Sequence, residues 1–183
     1  MIEPVIRLGK KTVVAMVHLP PLPGSPDYDQ EGGMSKILDA VFSDLEALQS
    51  GGVDAVMFGN EFDRPYVLKA PPEGLASLAA VIGQVKPTIK VPFGVNYLWD
   101  PLATIALAVA TEADFAREIY TGLYASDMGL WAPDCAGAAR LRSSNGCPNL
   151  QLLFNINAEF ATSLDNRPLE IKAKSVVFSS KAD

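Results

Sequence analysis

Cysteine, histidine and clustered positive charge are all scarce in this sequence, and each scarcity excludes something. Cys135 and Cys147 are the two cysteines and His18 the single histidine, with no pair of further Cys or His to accompany them. That leaves neither a C-x-x-C redox motif nor a zinc-ligand pattern, so both thiols are expected to be free and partly buried. The 15 Lys and Arg are outnumbered by 21 Asp and Glu, for a formal charge of −6, and the positive residues are scattered. Binding along a phosphate backbone needs them clustered, so no nucleic-acid partner is expected. Long apolar runs are also missing. The most apolar helical segments, Leu75 to Val85 and Leu102 to Ala110, fall short of the ~20 residues that cross a bilayer, so no membrane span is expected. Met1 to Lys11 carries Arg7, Lys10 and Lys11 ahead of a short apolar stretch that is broken at His18 and then by prolines. This does not have the layout of a signal peptide, and the expected location is cytoplasmic.

What is present is a 183-residue chain that is 49% hydrophobic, enough to bury one sizeable core in a single domain spanning residues 1–183. Short apolar or β-branched runs recur at Val13 to Leu19, Ala55 to Gly59, Val91 to Leu98, Phe115 to Thr121 and Leu150 to Ile156. Amphipathic segments lie between them, and strands alternating with helices imply βαβ units around a parallel sheet. The first helix, about Gly33 to Ser50, spaces Ile37, Val41, Leu45 and Leu48 along one face and stops at Gly51-Gly52. A second, about Glu73 to Val85, follows Pro71-Pro72. A third, about Pro101 to Thr111, opens on an Asp100-Pro101 pair suited to N-cap and N1. Ser175 to Ser179 is β-branched yet continues the helix-compatible run Leu169 to Lys174, and periodicity alone leaves it open.

In parallel α/β folds ligands bind at the C-terminal ends of the strands, where the loops converge. Those ends carry His18, then Asn60 and Glu61, then Asn96, then Arg117 and Thr121, then Asn155. One polar group per strand end suggests a polar pocket, although a lone His is often a core residue and each Asn can instead satisfy loop backbone. Arg117 and Glu118 alternate faces, so one of them at most is expected inside, and Arg117 shares its parity with Thr121. His18 and Asp127 are the candidate catalytic residues; Asn60, Glu61, Asn96, Arg117, Thr121 and Asn155 are the candidate substrate-binding ones. His18, Glu61 and Asp127 lack any ligand spacing, so no metal and no cofactor is assigned. The proline-rich segment His18 to Pro26 reads as a rigid active-site loop rather than a polyproline ligand. Trp99, Trp131 and Tyr124 are candidates for a stacking wall, with buried packing the commoner use of such rings. Gly122 to Gly129 has only its two terminal glycines and lacks a P-loop lysine.

Several blocks together carry a family likeness. Met16-Val17-His18-Leu19-Pro20-Pro21-Leu22-Pro23-Gly24 and Gly51-Gly52-Val53-Asp54-Ala55-Val56-Met57-Phe58-Gly59-Asn60-Glu61-Phe62 are followed by Pro92-Phe93-Gly94-Val95-Asn96-Tyr97-Leu98-Trp99-Asp100-Pro101. Arg117-Glu118-Ile119-Tyr120-Thr121-Gly122, Ala125-Ser126-Asp127-Met128-Gly129 and Leu153-Phe154-Asn155-Ile156 complete the set. This wording resembles the BtpA/SgcQ family, and its SgcQ branch more than its BtpA branch. Glu112 and Ala116 depart from it, standing where the family usually has a glycine and a larger aliphatic. The resemblance implies a TIM (β/α)8 barrel of the ribulose-phosphate-binding class, here incomplete, with about the first five βα units before a truncation. It further implies that Ser175 to Ser179 ends the fifth helix.

Two functions follow from the resemblance. One is an enzyme-like barrel acting on a small-molecule substrate, a phosphorylated sugar or related metabolite, with its activity impaired by truncation. The other is a non-catalytic assembly factor of the kind associated with photosystem I biogenesis. An unclosed sheet would leave open edges, through which self-association is expected.

Overall fold

A computed structural model describes residues 4–5 and 11–183; the basic positions Arg7 and Lys10, used above to argue against a signal peptide, lie outside the described residues. Five strands form one parallel sheet: β1 (Val14–His18), β2 (Ala55–Gly59), β3 (Phe93–Asn96), β4 (Phe115–Glu118) and β7 (Gln151–Phe154), in the spatial order β1-β2-β3-β4-β7. Helices α1 (Gly33–Ser50), α2 (Pro72–Val85), α3 (Pro101–Thr111) and α4 (Cys135–Ser144) connect them, and α5 (Leu169–Ser179) follows β7. The five expected strands are all present; β2 keeps the bounds of its apolar run and the other four are shorter than theirs because the ends turn into loops.

Local chemistry accounts for most of these boundaries. Ile37, Val41 and Leu45 of α1 are buried on one face, and the chain leaves the helix through Gly52 at φ 79°, a geometry that costs glycine nothing. Asp100 caps α3, its Oδ1 accepting N–H groups of Leu102 and Ala103 at 3.0 Å each, while its Oδ2 accepts Ala70 N–H at 3.0 Å. The β-branched tail is helical, as the family resemblance implied: α5 runs to Ser179.

The sheet has two different faces. Val17, Val56, Phe58, Val95, Ala116 and Leu152 point outward and pack with the helices in the main core. On the inner face Ala55, Met57 and Phe115 form a smaller cluster with Val14, Met16 and Leu153. Gly94 belongs to that face, and a Cβ there would lie 2.2 Å from the Phe115 ring, so the ring fills the space a side chain would take.

Two features lie outside the expected plan. A three-stranded antiparallel sheet, ordered β6-β5-β8, is built from β5 (Tyr124–Ser126), β6 (Gly129–Trp131) and β8 (Thr162–Ser163). It grows from the loops after β4 and β7. Helix α4 departs from the expected amphipathic pattern: Ala138 is its one buried residue, so it has no apolar stripe, and its start is marked by Asp134 Oδ1 accepting Gly137 N–H at 2.7 Å. Cys135 and Cys147 are free and half-buried. Among the described residues no helix is long and apolar enough to cross a membrane.

Candidate functional site

The inner face changes character along the strands. Past the apolar cluster, toward the C-terminal ends, the same face presents His18, Gly59, Asn96, Arg117 and Asn155 around a cavity of about 240 Å³. Parallel pairing sets this level, since His18 lies opposite Gly59 and Gly59 opposite Asn96. Glycine at the middle position leaves room between two polar side chains.

Hydrogen bonds fix the far wall. Asn96 is buried, and its Nδ2 donates to Arg117 O at 2.7 Å and to Glu118 Oε2. Arg117 Nε donates to Asn155 Oδ1 at 2.9 Å, and among the described residues the guanidinium has no carboxylate partner. Glu118 is 2% exposed, yet it lines the cavity; its Oε1 accepts the Ile119 N–H at 2.8 Å. Burial pushes this carboxyl from the ordinary 4.5 up to about 8, against the hydrogen bonds from Ile119 and Asn96 and the Arg117 charge, which pull it down. The acid is therefore mostly protonated at neutral pH. The opposite wall holds Glu61, whose Oε1 accepts the Tyr66 hydroxyl at 3.0 Å; burial, and then this carboxylate, raise the phenol's titration.

Aromatic packing closes one side. Trp99, Ile119, Tyr124 and Trp131 form a second core between the cavity and the small sheet, with Trp99 and Trp131 edge to face at 5.4 Å and Tyr124 and Trp131 at 4.7 Å. These rings mainly pack on one another, and of the three only Trp99 lines the cavity. Its buried Nε1 has no hydrogen-bond partner among the described residues.

His18, Glu61, Asn96, Arg117 and Asn155 thus meet in one place, and three other expected residues do not. Asn60 is buried but belongs to the outward parity of β2, because Ala55, Met57 and Gly59 take the inner face. It braces loops instead: its Oδ1 accepts Leu98 N–H at 2.8 Å and its Nδ2 donates to Asp63, whose Oδ1 accepts Leu22 N–H at 2.7 Å. Burial holds the Asp63 carboxyl above its usual range. The proline-rich loop is pinned by that contact and by burial of Leu19 and Leu22, but it does not line the cavity. Thr121 lines a separate cavity of about 140 Å³ with Ser163, Asp165 and Lys172. Asp127 is exposed at the turn between β5 and β6.

One expectation needs correcting outright. Arg117 and Glu118 were expected to exclude one another from the interior, yet both line the cavity. Glu118 is the last residue of β4, and there its carboxyl accepts from Asn96 Nδ2 on the neighbouring strand. Among the described residues no three His, Cys, Asp or Glu side chains are grouped to hold a metal ion.

Comparison with known proteins agrees with this architecture. The sequence profile of the BtpA family matches residues 9–183. The sgc region protein SgcQ of Escherichia coli is 49% identical over 174 residues, covering 95% of this chain and 65% of its own length. An uncharacterised protein of Pyrococcus abyssi is 35% identical over 85% of this chain and 60% of its own, and the photosystem I biogenesis protein BtpA of Synechocystis is 30% identical over 64% and 42%. The chain thus spans less than two thirds of these relatives. Among solved structures, dihydropteroate synthases of Vibrio fischeri and Burkholderia cenocepacia superpose with TM-scores of 0.57 at 17% identity. They cover 84% and 96% of this chain, and it covers 48% and 56% of them. That likeness is one of fold, an α/β, TIM-barrel-like arrangement.

Proposed function

The chain belongs to the BtpA family, and from that premise we propose that it forms five βα units of a (β/α)8 barrel acting on a small phosphorylated sugar or related metabolite. The observation that carries this reading is a buried carboxyl, Glu118, lining the same cavity as an arginine that has no carboxylate partner among the described residues; burial raises that carboxyl's titration. Arg117 is suited to an anionic group because its fork of N–H donors matches phosphate or carboxylate oxygens. Asn155 holds that fork in place, and Asn96 orients the acid. Glu118 delivers a proton as general acid while His18, across the cavity, accepts one as general base. Asp127, at its exposed turn, has no part in this scheme.

The test is a thermal-shift panel of sugar phosphates with their unphosphorylated parents. A binding sugar phosphate at one hundred times its Kd stabilises the native state by about 2.7 kcal/mol, and Arg117→Ala should remove most of that shift. No response to any phosphorylated sugar at millimolar concentration would end this reading.

A second reading, assembly factor rather than enzyme, is favoured by one observation. Leu169, Ile171, Val177 and Phe178 of α5 are all exposed, Phe178 at 84%, and a helix with apolar residues in solvent suits a protein partner. Loss of partner capture on Val177→Ser and Phe178→Ser, with no ligand response, would favour it.

A further inference from the structure

Helix α5 faces opposite to a usual surface helix, which buries its apolar stripe and shows its polar side to water. Ile171, Val177 and Phe178 are exposed, whereas Lys172 and Ser175 are half-buried beside Val176, the one buried residue of the helix. Lys172, Ser175 and Val176 lie three and four positions apart, so they share a face. That face, with Ser180 just beyond it, lines the second cavity, of about 140 Å³. The polar side of α5 is therefore kept against the protein, at a space that the packing leaves open.

The remaining walls are fixed by specific contacts. Gly122 has φ 117°, and a Cβ there would lie 2.5 Å from the Tyr124 ring, so the turn after Thr121 needs glycine; the Tyr124 hydroxyl holds it by donating to Thr121 O at 2.9 Å. The Ser163 hydroxyl accepts Asp165 N–H at 3.2 Å and Lys172 Nζ at 3.3 Å. Asp165 is already taken by Arg167, whose Nη2 donates to Oδ2 at 2.7 Å and whose Nε donates to Oδ1 at 2.9 Å. Lys172 stands close enough to that carboxylate to feel its charge, but among the described residues it pairs with no acid. Two cations thus face one anion in this cavity. The hydroxyls of Thr121, Ser175 and Ser180 line it as well, with no hydrogen-bond partner among the described residues.

We infer that this second cavity binds a small tetrahedral oxyanion, free phosphate or the phosphate end of an ester, through Lys172 and the hydroxyls of Thr121, Ser175 and Ser180. Each hydroxyl can turn its proton toward an anion's oxygen, and the ammonium adds a compact charge with rotatable donors. Bonds from a charged donor to an anion are the stronger kind, and they would use the donors that the protein itself leaves idle. The two cavities share no lining residue, although the chain passes from one to the other between Ile119 and Thr121 and between Asn155 and Ile156. This site is therefore additional to the one around Arg117 and stands or falls independently of the sugar-phosphate reading.

The test titrates inorganic phosphate into the isotope-labelled chain at constant ionic strength and follows amide shifts by NMR. Saturable shifts are expected at Gly122, Ser163 and Ser175. Arg117→Ala should leave their midpoint within about twofold, whereas Lys172→Gln should weaken binding at least about tenfold. Thr121→Val, across the cavity, should weaken it by about threefold or more, so the outcome does not hang on one variant. Glycerol phosphate separates the two sources: a tighter response at the same amides identifies an ester's phosphate, and a weaker one the free ion. Shifts that never saturate, that sodium chloride reproduces, or that persist unchanged in both Lys172→Gln and Thr121→Val would overturn the inference. So would a response confined to the amides of Arg117 and Asn155, because the anion would then occupy the first cavity.

Discussion

The parallel sheet has side chains packed on both faces, with helices against one and the Phe115 cluster on the other, whereas β5, β6 and β8 rest mainly on the rings of Trp99, Tyr124 and Trp131. The larger region spreads its stability over many apolar contacts and four helices. The smaller one has strands of two or three residues, too short to hold together without the aromatic cluster. The cavity lies where the regions meet, with polar groups supplied by the first and a wall of Trp99 and Ile119 by the second. A rigid frame beside a less secured cover is a common arrangement for binding sites.

This contrast predicts graded responses. Phe115→Ala, at 0% exposure, should cost about 4 kcal/mol and lower the whole denaturation curve; a loss confined to the small sheet would break the comparison. Glu118→Gln tests the junction. Because its folded-state titration lies near 8 rather than 4.5, the carboxyl contributes stability that is fully present below about pH 4.5 and lost as pH rises through 8. Urea titrations should show the parent losing on the order of 3 kcal/mol between pH 5 and pH 8 and the glutamine variant losing much less. Asp63, shifted the same way by burial, supplies a residual slope of like sign. Trp131→Ala should free the amides of β5 and β6 to exchange while moving the parallel sheet's unfolding by less than about 1 kcal/mol. A cooperative collapse of both regions would merge them into one unit. The smallest effect is expected from His18→Ala, within about 0.5 kcal/mol in stability, together with a weakened ligand response. Severe destabilisation would mark His18 as a packing residue.

The same division decided what could be read in the sequence. Each strand of the parallel sheet announced itself by an apolar run between turn residues, and position at the strand ends then grouped His18, Asn96, Arg117 and Asn155. That position alone does not decide which way a side chain points. Asn60 follows the last residue of β2 with outward phase, and Asp63, which gives it its partner across one turn three residues later, has no fixed relation to a strand. Glu118 ends β4 on the outward parity and reaches the cavity because its carboxyl accepts from Asn96 on the neighbouring strand, which alternation does not describe. In the small sheet, three residues are too few for a period to register, and Gly129 at φ 86° was the one local sign of a turn. Helix α4 packs against α3 with Ala138 its one buried residue, so its N-cap Asp134 was the signal available and hydrophobic spacing was not.

Both tryptophans of the chain, Trp99 and Trp131, sit in the aromatic cluster beside the cavity, and neither is in the parallel sheet. The molecule therefore carries a built-in optical division. Indole emission reports the environment of the cover, while far-ultraviolet circular dichroism, dominated by the helices, reports the frame. With the rings 5.4 Å apart, their near-ultraviolet transitions are coupled as well. Fluorescence and dichroism recorded on one sample should part company under mild denaturation, the emission shifting red while the helical signal persists.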